Sequence, residues 1–238
     1  MRTEILYEDN SVLVIRKPAG LAVQSARIGQ ADVVSELKSY LAKQAGAGQG
    51  EPYLAVIHRL DQPVEGILVF GKTPEAAKSL SAQITAGKME KIYLAVTYGK
   101  QAEAGKKEKV LEDYLKKDGK SNTSSVVNAH TPGAKKARLS YEVLGEAVDA
   151  ISGKKKWLLR IHLDTGRHHQ IRVQMAHAGM PLAGDRKYGA GTNVTIGAGS
   201  LALCAASLTF FHPITGKVMK FVTNPEGAEF KGISIPQM

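Results

Sequence analysis

The stretch that decides the fold reads LAVIHRLDQPVEGILVFG and covers residues 54–71. Its two apolar runs, residues 54–57 and 66–71, have the length and composition of short buried strands. Between them lie a histidine, an arginine and Asp61, which would project from the end of rigid structure, where a preorganised site is favoured. An aspartate in such a loop more often caps a turn. From residue types alone, the turn cap is therefore the favoured interpretation of Asp61.

Outward from this stretch, strand and helix patterns follow one another without a regular βαβ alternation. Apolar runs and alternating segments predict further strands, and helical spacing of apolar positions predicts helices. The pair Thr73-Pro74 is typical of a helix start, and Gly87 and Gly179 are typical of helix ends. The order predicts an α+β domain with a mixed, mostly antiparallel sheet and a few flanking helices. Besides the two runs above, strands are predicted at residues 11–17, 92–98, 139–144, 157–163, 201–211 and 217–223, and helices at residues 31–44, 74–87 and 168–178.

Residues 1–238 are expected to form a single domain. Lysines cluster between residues 99 and 138, and this segment is predicted to form strand fragments joined by basic polar loops. It holds too few apolar residues for a separate core. Residues 189–200 are predicted to form a glycine-rich loop. Because the loop lacks a Gly-Lys-Ser/Thr ending and a following helix, it does not resemble a phosphate-binding loop.

The composition points to a polyanionic partner. The 238 residues carry a formal net charge of +10, with a sequence pI of about 9.6, which favours nucleic acid. A single cysteine, Cys204, excludes an intramolecular disulfide and a cysteine-based zinc site. The first ten residues lack the apolar core of a secretory signal, and no apolar run is long enough to span a membrane. The sequence thus predicts a cytoplasmic location and no membrane partner.

Two further segments place polar groups beside apolar runs. Residues 164–172, DTGRHHQIR, open the third predicted helix with cations, which the helix dipole disfavours and which suggests a ligand. The alternative is an ordinary helix start capped by Asp164 or Thr165. Adjacent histidines point about 100° apart on a helix and have no partner at ligand spacing, so no metal site is expected. In residues 90–96, EKIYLAV, the tyrosine is most often a packing residue.

Taken together, these segments resemble the RluA-type family of RNA pseudouridine synthases. The resemblance is collinear over nearly the whole chain, and motifs in the family's order are far more specific than any one of them. It begins with ILYED at residues 5–9 and ends with HPITG at residues 212–216. Between them come KPAGL at 17–21, HRLD at 58–61 with GILVF at 66–70, KIYLA at 91–95, TGRHHQIRV at 165–173 and GDRKYG at 184–189.

The resemblance implies the pseudouridine synthase fold and an isomerase that converts a uridine in structured RNA to pseudouridine without a cofactor. Three residues match the family's catalytic positions: Asp61 as the carboxylate, Tyr93 at the uracil and Arg172 as the partner of Asp61. Breaking a glycosidic bond builds positive charge on the sugar, which an ionised carboxylate can stabilise. The substrate-binding and RNA-binding positions that the resemblance implies are His58, Arg59, Ile171, Arg167, His169, Gln170, Asp185 and Lys187.

The chain departs from the family pattern at a few positions. Val64-Glu65 replaces Thr-Ser, and His168 stands where threonine is usual. Gln174 and Cys204 stand where histidine is frequent. None of these changes removes the aspartate, the tyrosine or the arginine.

The resemblance also implies a partner, which is rRNA or tRNA. A monomer without an obligate protein partner is expected. Many relatives carry an additional N-terminal RNA-binding domain, whereas this chain is expected to lack one and to bind RNA with the surface of the catalytic fold.

Two other functions stay open at this point. The first is a non-catalytic RNA-binding or ribosome-assembly module that keeps the fold. The second is a hydrolase of free nucleosides or glycosides, which would need a second acid beside Asp61. Glu65 is the only nearby candidate for that acid, and the net charge favours a polymer over a small sugar.

Overall fold

The structure is a computed structural model that describes residues 1–27, 29–46, 50–99, 108–149, 153–189 and 200–237. The chain divides into two compact units. The first unit comprises Met1–Lys91 and Ala205–Asn224, and the second comprises Ile92–Cys204 and Pro225–Met238. No feature of the sequence marked the boundaries between these units.

Within the described ranges, the chain forms eleven β-strands, three α-helices and a short 3-10 helix. The strands are β1 (Glu4–Glu8), β2 (Val12–Lys17), β3 (Ala55–Val56), β4 (Glu65–Gly71), β5 (Glu90–Thr97), β6 (Lys109–Asp118), β7 (Thr123–Val127), β8 (Lys135–Val148), β9 (Lys155–Leu163), β10 (Leu203–Phe211) and β11 (Val218–Val222). The helices are α1 (Val33–Ala45), α2 (Pro74–Thr85), α3 (Gln170–His177) and the 3-10 helix Ala228–Phe230.

The first unit is built on β2 and β4, whose residues are almost all buried. Strand β2 pairs antiparallel with β1 and β4, β3 also pairs with β4, and β10 pairs antiparallel with β11. Strands covered on both faces have continuous apolar runs in place of alternation. Helix α2 is capped by Thr73, whose hydroxyl accepts the Ala76 N–H at 3.2 Å, and it packs Leu80 into the core. The loop that carries Asp61 lies between β3 and β4 and is therefore held at both ends by paired strands.

Gly66 lies where β4 passes too close to the backbone of Ala205 for a side chain. Its φ angle is +127°, and a Cβ atom here would lie 2.4 Å from the Ala205 carbonyl oxygen. We expect Gly66→Ala to lower the free energy of unfolding by about 3 kcal/mol, because neither backbone can move without disturbing paired strands. Urea unfolding measures this loss. Gly145→Ala is the matched control, since nothing lies within 4 Å of its Cβ position. Equal unfolding midpoints for the two variants would contradict the prediction.

The second unit is an antiparallel sheet with helix α3 against it. The strand order is β5-β9-β8-β6-β7, and each neighbouring pair is antiparallel. Helix α3 contacts β6 and β7, where Val173 packs with Leu115 and Ala137. The helix begins at Gln170, two residues later than predicted, because His169 has a left-handed backbone with a φ angle of 54°.

The lysine-rich segment is more regular than the sequence indicated. In place of fragments and loops, β6 and β7 form a hairpin, and β8 begins at Lys135 and pairs with β6. Cross-strand hydrogen bonds satisfy this backbone, whereas exposed lysines leave no apolar pattern by which strands are recognised. Residues 100–107 of this predicted loop region lie outside the described residues, as do residues 190–199 of the predicted glycine-rich loop.

The predicted fold class is confirmed as α+β with a mixed, mostly antiparallel sheet and three helices. An isolated parallel bridge between Ala22 and Asp32 accompanies the antiparallel pairs. Helix α1 buries Val33, Leu37 and Leu41, which lie at helical spacing on one face. In the described part of the chain, no helix is long and apolar enough to cross a membrane.

Candidate active site

The loop that carries Asp61 is tied to the turn after β2. The Asp61 carbonyl oxygen accepts a hydrogen bond from the Val64 N–H at 3.0 Å. The Gly20 N–H donates to the Gln62 carbonyl oxygen at 2.9 Å, and the Gln62 side-chain nitrogen donates back to the Gly20 carbonyl oxygen at 3.1 Å. The backbone around Asp61 is therefore fixed within the first unit, as a preorganised side chain requires.

A buried lysine, Lys17, joins the two segments of this arrangement. It is fully buried, and its Nζ donates to the carbonyl oxygens of Pro18, Leu21 and Gln62 at 2.9, 2.7 and 3.1 Å. Three acceptors match the three hydrogens of an ammonium group. Burial lowers the pKa of Lys17 to about 8, although the negative charge of Asp61 acts to raise it. Lys17 thus tethers the Asp61 loop, a role that its place in the sequence did not indicate.

His58 and Arg59, which precede Asp61, have different environments. The Nε2 atom of His58 accepts a hydrogen bond from the Val69 N–H at 3.3 Å, so Nδ1 carries the ring hydrogen. Burial lowers the pKa of His58 to about 3, with a further contribution from Lys91, and the ring is neutral at physiological pH. Arg59 is exposed. His58 therefore attaches the motif to β4, and Arg59 is the residue of the two that a large ligand can reach.

Glu65, a departure from the family pattern four residues after Asp61, is paired with an arginine. It is buried, and its carboxylate lies 3.6 Å from the guanidinium of Arg16, which also lies 3.7 Å from Glu4. The ion pair connects Glu65 to β2, the strand that contains Arg16. It weakens the interpretation in which Glu65 serves as the second acid of a hydrolase.

Arg172 and Asp185 form a buried ion pair in the second unit. Nε and Nη2 of Arg172 donate to the two carboxylate oxygens of Asp185, each at 2.8 Å. The same carboxylate accepts the backbone N–H groups of Lys187 and Tyr188 at 2.9 and 3.2 Å. Burial acts to raise the pKa of Asp185, but the hydrogen bonds and charge of Arg172 outweigh it and hold the pKa below its ordinary value. Asp185 has no exposed side-chain surface for RNA, and we interpret it as the residue that positions Arg172.

Gln170 uses its side chain entirely inside the second unit. Its Oε1 accepts from the Thr165 hydroxyl at 2.8 Å and from the Arg167 N–H at 2.9 Å. Its Nε2 donates to the Arg138 carbonyl oxygen at 3.1 Å and to Oε1 of Gln174 at 2.9 Å. These bonds fill the capacity of a primary amide. We therefore interpret Gln170 as a residue that positions the start of α3.

Tyr93 and Ile171 are both largely buried. Tyr93 lies on β5 opposite Ile161 of β9 and is 7% exposed. Ile171 lies in the first turn of α3 and is 4% exposed. If Tyr93 and Ile171 contact the uracil as predicted, each does so with the small exposed part of a side chain that is otherwise packed in the core.

The later start of α3 changes the interpretation of its cations. The N-cap is His169, which makes no side-chain cap bond, and not Asp164 or Thr165. Arg167 precedes the helix and donates from Nε to a backbone carbonyl oxygen of β8 at 2.8 Å. Arg172 alone of the two arginines lies in the first helical turn. Among the described residues, no group of three histidine, cysteine, aspartate or glutamate side chains could hold a metal ion.

Comparison with known proteins places these motifs in one family. The family model described as RNA pseudouridylate synthase matches residues 11–177, a range that includes Asp61, Tyr93 and Arg172. The chain belongs to this family. Ribosomal large subunit pseudouridine synthase D of Xylella fastidiosa is 32% identical over 237 residues, which cover 92% of this chain and 65% of that protein. tRNA pseudouridine synthase C of Haemophilus ducreyi is 33% identical over 224 residues, which cover 90% of this chain and 88% of that protein.

A solved structure of Human RNA Pseudouridylate Synthase Domain Containing 4 has the same fold. It matches with a TM-score of 0.72 at 22% identity, covering 94% of this chain and 89% of that chain. The resemblance to RluA-type pseudouridine synthases and the predicted fold are therefore confirmed. The chain spans about two thirds of the length of the Xylella protein.

The positions that depart from the pseudouridine synthase pattern have local partners or are buried. The Gln174 side chain is fully buried and donates to an Asp113 carboxylate oxygen at 2.8 Å. Cys204 is buried at the start of β10. His168 bonds to the β6–β7 hairpin through Ser124 at 2.9 Å. Gln174, Cys204 and His168 lie outside the loop that carries Asp61, whereas Val64 belongs to it and donates its N–H to the Asp61 carbonyl oxygen.

Proposed function

We propose that this pseudouridine synthase family member converts a uridine of structured RNA to pseudouridine, with Asp61 as its catalytic carboxylate. The observation that carries the proposal is the Lys17 tether. Burying an ammonium group is costly, and here the buried group holds the loop that bears Asp61. Family membership supports the reaction, and the net charge of +10 supports a polyanionic substrate.

The reaction is an isomerisation without net oxidation. The bond between ribose C1′ and uracil N1 breaks, C1′ bonds to C5, C5 loses a proton and N1 gains one. Positive charge builds on the ribose as the first bond breaks, and the Asp61 carboxylate stabilises it or attacks C1′. Addition of the carboxylate to the base and removal of a sugar proton are the other routes open to it. Each route uses the negatively charged form of Asp61.

Tyr93 and Arg172 are assigned by their places in the family's motifs. We propose that Tyr93 contacts the uracil and assists removal of the C5 proton, and that Arg172 orients the Asp61 carboxylate. The bidentate pair with Asp185 fixes the orientation of the guanidinium. This orientation preorganises Arg172 to bind a second carboxylate, which we propose is that of Asp61. Ile171 is proposed to pack on the base.

The RNA has to present its uridine outside the helical stack, which costs roughly a few kcal/mol. We propose that Arg59, exposed two residues before Asp61, steadies the flipped nucleotide or fills the space that it leaves. Exposed lysines of the second unit are proposed to bind phosphates, which makes affinity fall with added salt. Because relatives are named for ribosomal and transfer RNA, one of these two classes is proposed as the substrate.

Tritium release from RNA labelled at uridine C5 tests the reaction. We expect release when the RNA comes from cells that lack this protein. Free uracil as the product would indicate a hydrolase, and RNA binding without release would indicate an inactive RNA-binding module. Mapping of pseudouridines in total RNA with and without the protein then identifies the uridine.

The buried Lys17 predicts opposite pH responses of activity and stability. Between about pH 8 and the ordinary pKa of 10.5, Lys17 has lost its proton in the folded protein and keeps it in the unfolded chain. The cost of burying a charge then disappears, so stability rises with pH across this window. Over the same window, two hydrogens remain for three carbonyl acceptors, and the positive charge that acts on Asp61 is lost. We therefore expect the turnover rate to fall.

Single-turnover rates and urea unfolding from about pH 7 to about pH 10 measure these responses. Lys17→Met is the reference, because it lacks the titrating group while the RNA titrates identically with both proteins. Lys78→Met, at an exposed position of α2, is the control for loss of one lysine. Parallel pH profiles for the parent and Lys17→Met would contradict the prediction.

A further inference from the structure

A hydrogen-bond network attaches the β6–β7 hairpin to the two chain segments that surround Arg172. One segment precedes α3, and the other follows Asp185. The network is separate from the Lys17 tether, and none of its members is among the residues proposed above to act at the uridine. Its members, called the Tyr188 network below, are Asn122, Ser124, His168, His169 and Tyr188.

Tyr188 touches the hairpin with its hydroxyl group and Arg172 with its ring. The hydroxyl accepts the Ser124 N–H at 2.8 Å and lies 2.7 Å from Nδ1 of His169. The ring centroid lies 5.1 Å from the guanidinium carbon of Arg172, which is within the range of a cation–π contact. The backbone N–H of Tyr188 also donates to Asp185, the carboxylate that holds Arg172. One side chain therefore connects the hairpin to the guanidinium.

His168 provides a second attachment of the hairpin. Its Nδ1 lies 2.9 Å from the Ser124 hydroxyl, and its Nε2 lies 3.2 Å from Oδ1 of Asn122. Its ring stacks on that of His169, with centroids 3.8 Å apart. The Lys187 ammonium group donates to the Asn122 carbonyl oxygen at 2.8 Å. A threonine at position 168 would be too short to reach both hairpin residues, so this attachment is a property of the present chain.

The hairpin turn has a charge that suits an RNA backbone. Lys116, Lys117 and Lys120 are exposed, and Asp118 is the one carboxylate among residues 116–122. Three positive charges and one negative charge leave the turn at +2. The Asp118 carboxylate accepts the Lys120 N–H at 2.9 Å and the Ser121 hydroxyl at 2.7 Å, so it shapes the turn. Phosphates are attracted to such a turn.

We propose that Tyr188 is a positioning residue that couples RNA contact at the β6–β7 hairpin to the position of Arg172. The inference rests on the proposed function, in which Arg172 orients the Asp61 carboxylate. When phosphates hold the hairpin, they hold the Ser124 N–H and with it the Tyr188 hydroxyl. The Tyr188 ring, which contacts the Arg172 guanidinium, is then held in place as well. RNA contact at the hairpin thus raises turnover as well as affinity.

Tyr188→Phe tests this link, because it removes the hydroxyl and keeps the ring over Arg172. We expect the single-turnover rate at saturating RNA to fall about tenfold, and the RNA dissociation constant to change less than about threefold. Tyr114→Phe is the matched control, since Tyr114 lies on β6 of the same hairpin and is not a member of the Tyr188 network. An unchanged rate in Tyr188→Phe, or an equal loss of rate and affinity, would overturn the proposal.

A double-mutant cycle tests the coupling itself. In the parent, the pair of substitutions Lys116→Ala and Lys120→Ala is expected to weaken RNA binding and to lower the saturated rate. In the Tyr188→Phe background, the same pair is expected to weaken binding with a much smaller effect on the rate, because the bond from Ser124 to the side chain that contacts Arg172 has been removed. Equal effects on the rate in both backgrounds would mean that the hairpin and Arg172 act independently.

The NMR signal of the Arg172 Nε–H group gives a readout that does not depend on turnover. This hydrogen donates to Asp185, so its chemical shift reports the position of the guanidinium. We expect Tyr188→Phe to shift the signal in RNA-free protein, and Tyr114→Phe to leave it in place. A shifted signal in a protein that releases no tritium would reject the proposed function alone. Tritium release by the parent, with signal and rate unchanged in Tyr188→Phe, would reject the coupling alone.

Discussion

Asp61→Asn is expected to reduce tritium release from RNA labelled at uridine C5 by at least about 10³-fold. Asparagine keeps the size of the side chain but has no negative charge for the developing positive charge of the ribose. The hydrogen bonds described above for the loop use main-chain oxygens of Asp61 and Gln62 and the side chain of Gln62, so none of them uses the carboxylate. RNA affinity is therefore expected to change by less than about threefold, since no phosphate contact is lost.

The same variant should also affect Lys17. The charge of Asp61 raises the Lys17 pKa, so its loss is expected to lower that pKa further and to reduce stability at neutral pH. Glu75→Gln, at an exposed position in the first turn of α2, removes one carboxylate from the same unit and serves as the control. If Asp61→Asn released tritium within about tenfold of the Glu75→Gln rate, Asp61 would not be the catalytic carboxylate.

Arg172→Met is expected to lower turnover by about 10²-fold or more, and to lower it much more than RNA affinity. The substitution removes the group proposed to orient Asp61. It also leaves the Asp185 carboxylate buried without its bidentate partner, which costs about 3–5 kcal/mol of stability. Single-turnover rates, RNA binding and urea unfolding separate these effects. If affinity fell as much as turnover, Arg172 would be mainly a phosphate contact.

A second variant separates the stability of the pair from its proposed role in the reaction. Adding Asp185→Asn to Arg172→Met removes the buried charge and keeps an acceptor for the Lys187 and Tyr188 N–H groups. We expect the double variant to recover part of the lost stability and none of the lost turnover. Arg160→Met, which breaks a partly exposed pair with Glu142, is the control and should change stability by less than about 1 kcal/mol. Recovery of turnover with stability would make the role of Arg172 purely structural.

Local sequence patterns were sufficient where neighbouring residues decide the structure. The strands β2 and β4 were recognised because every position of a doubly covered strand favours an apolar residue. Helix α2 was recognised because Thr73 caps the helix and Pro74 suits its first position. In both cases the interactions that select the structure lie within a few residues along the chain.

The β6–β7 hairpin and the start of α3 depend on distant partners instead. The lysines of the hairpin have no apolar alternation, and the pairing with β8 makes its backbone regular. Helix α3 begins late because His169 adopts a left-handed backbone, and its ring bonds to Tyr188, nineteen residues further along the chain. A pattern within a short window contains neither partner.

The residues of the candidate site also differ in whether the sequence or only the structure identifies them. Asp61, Tyr93 and Arg172 were identified from the order of motifs, and the family match covers all three. Their roles stay predictions. Lys17 was not identified, because a lysine at the end of an apolar strand has the appearance of a strand boundary. Its role depends on the carbonyl oxygen of Gln62, which lies 45 residues further along the chain.

The sequence by itself determined the fold class, the family resemblance and the positive charge, because these depend on the order and the types of the residues. Only the tertiary structure decided which polar groups are already engaged. Gln170 fills its capacity with internal bonds, Glu65 pairs with Arg16, and Lys17 is held by three carbonyl oxygens. Buried polar groups must find partners, and folding brings those partners from distant parts of the chain.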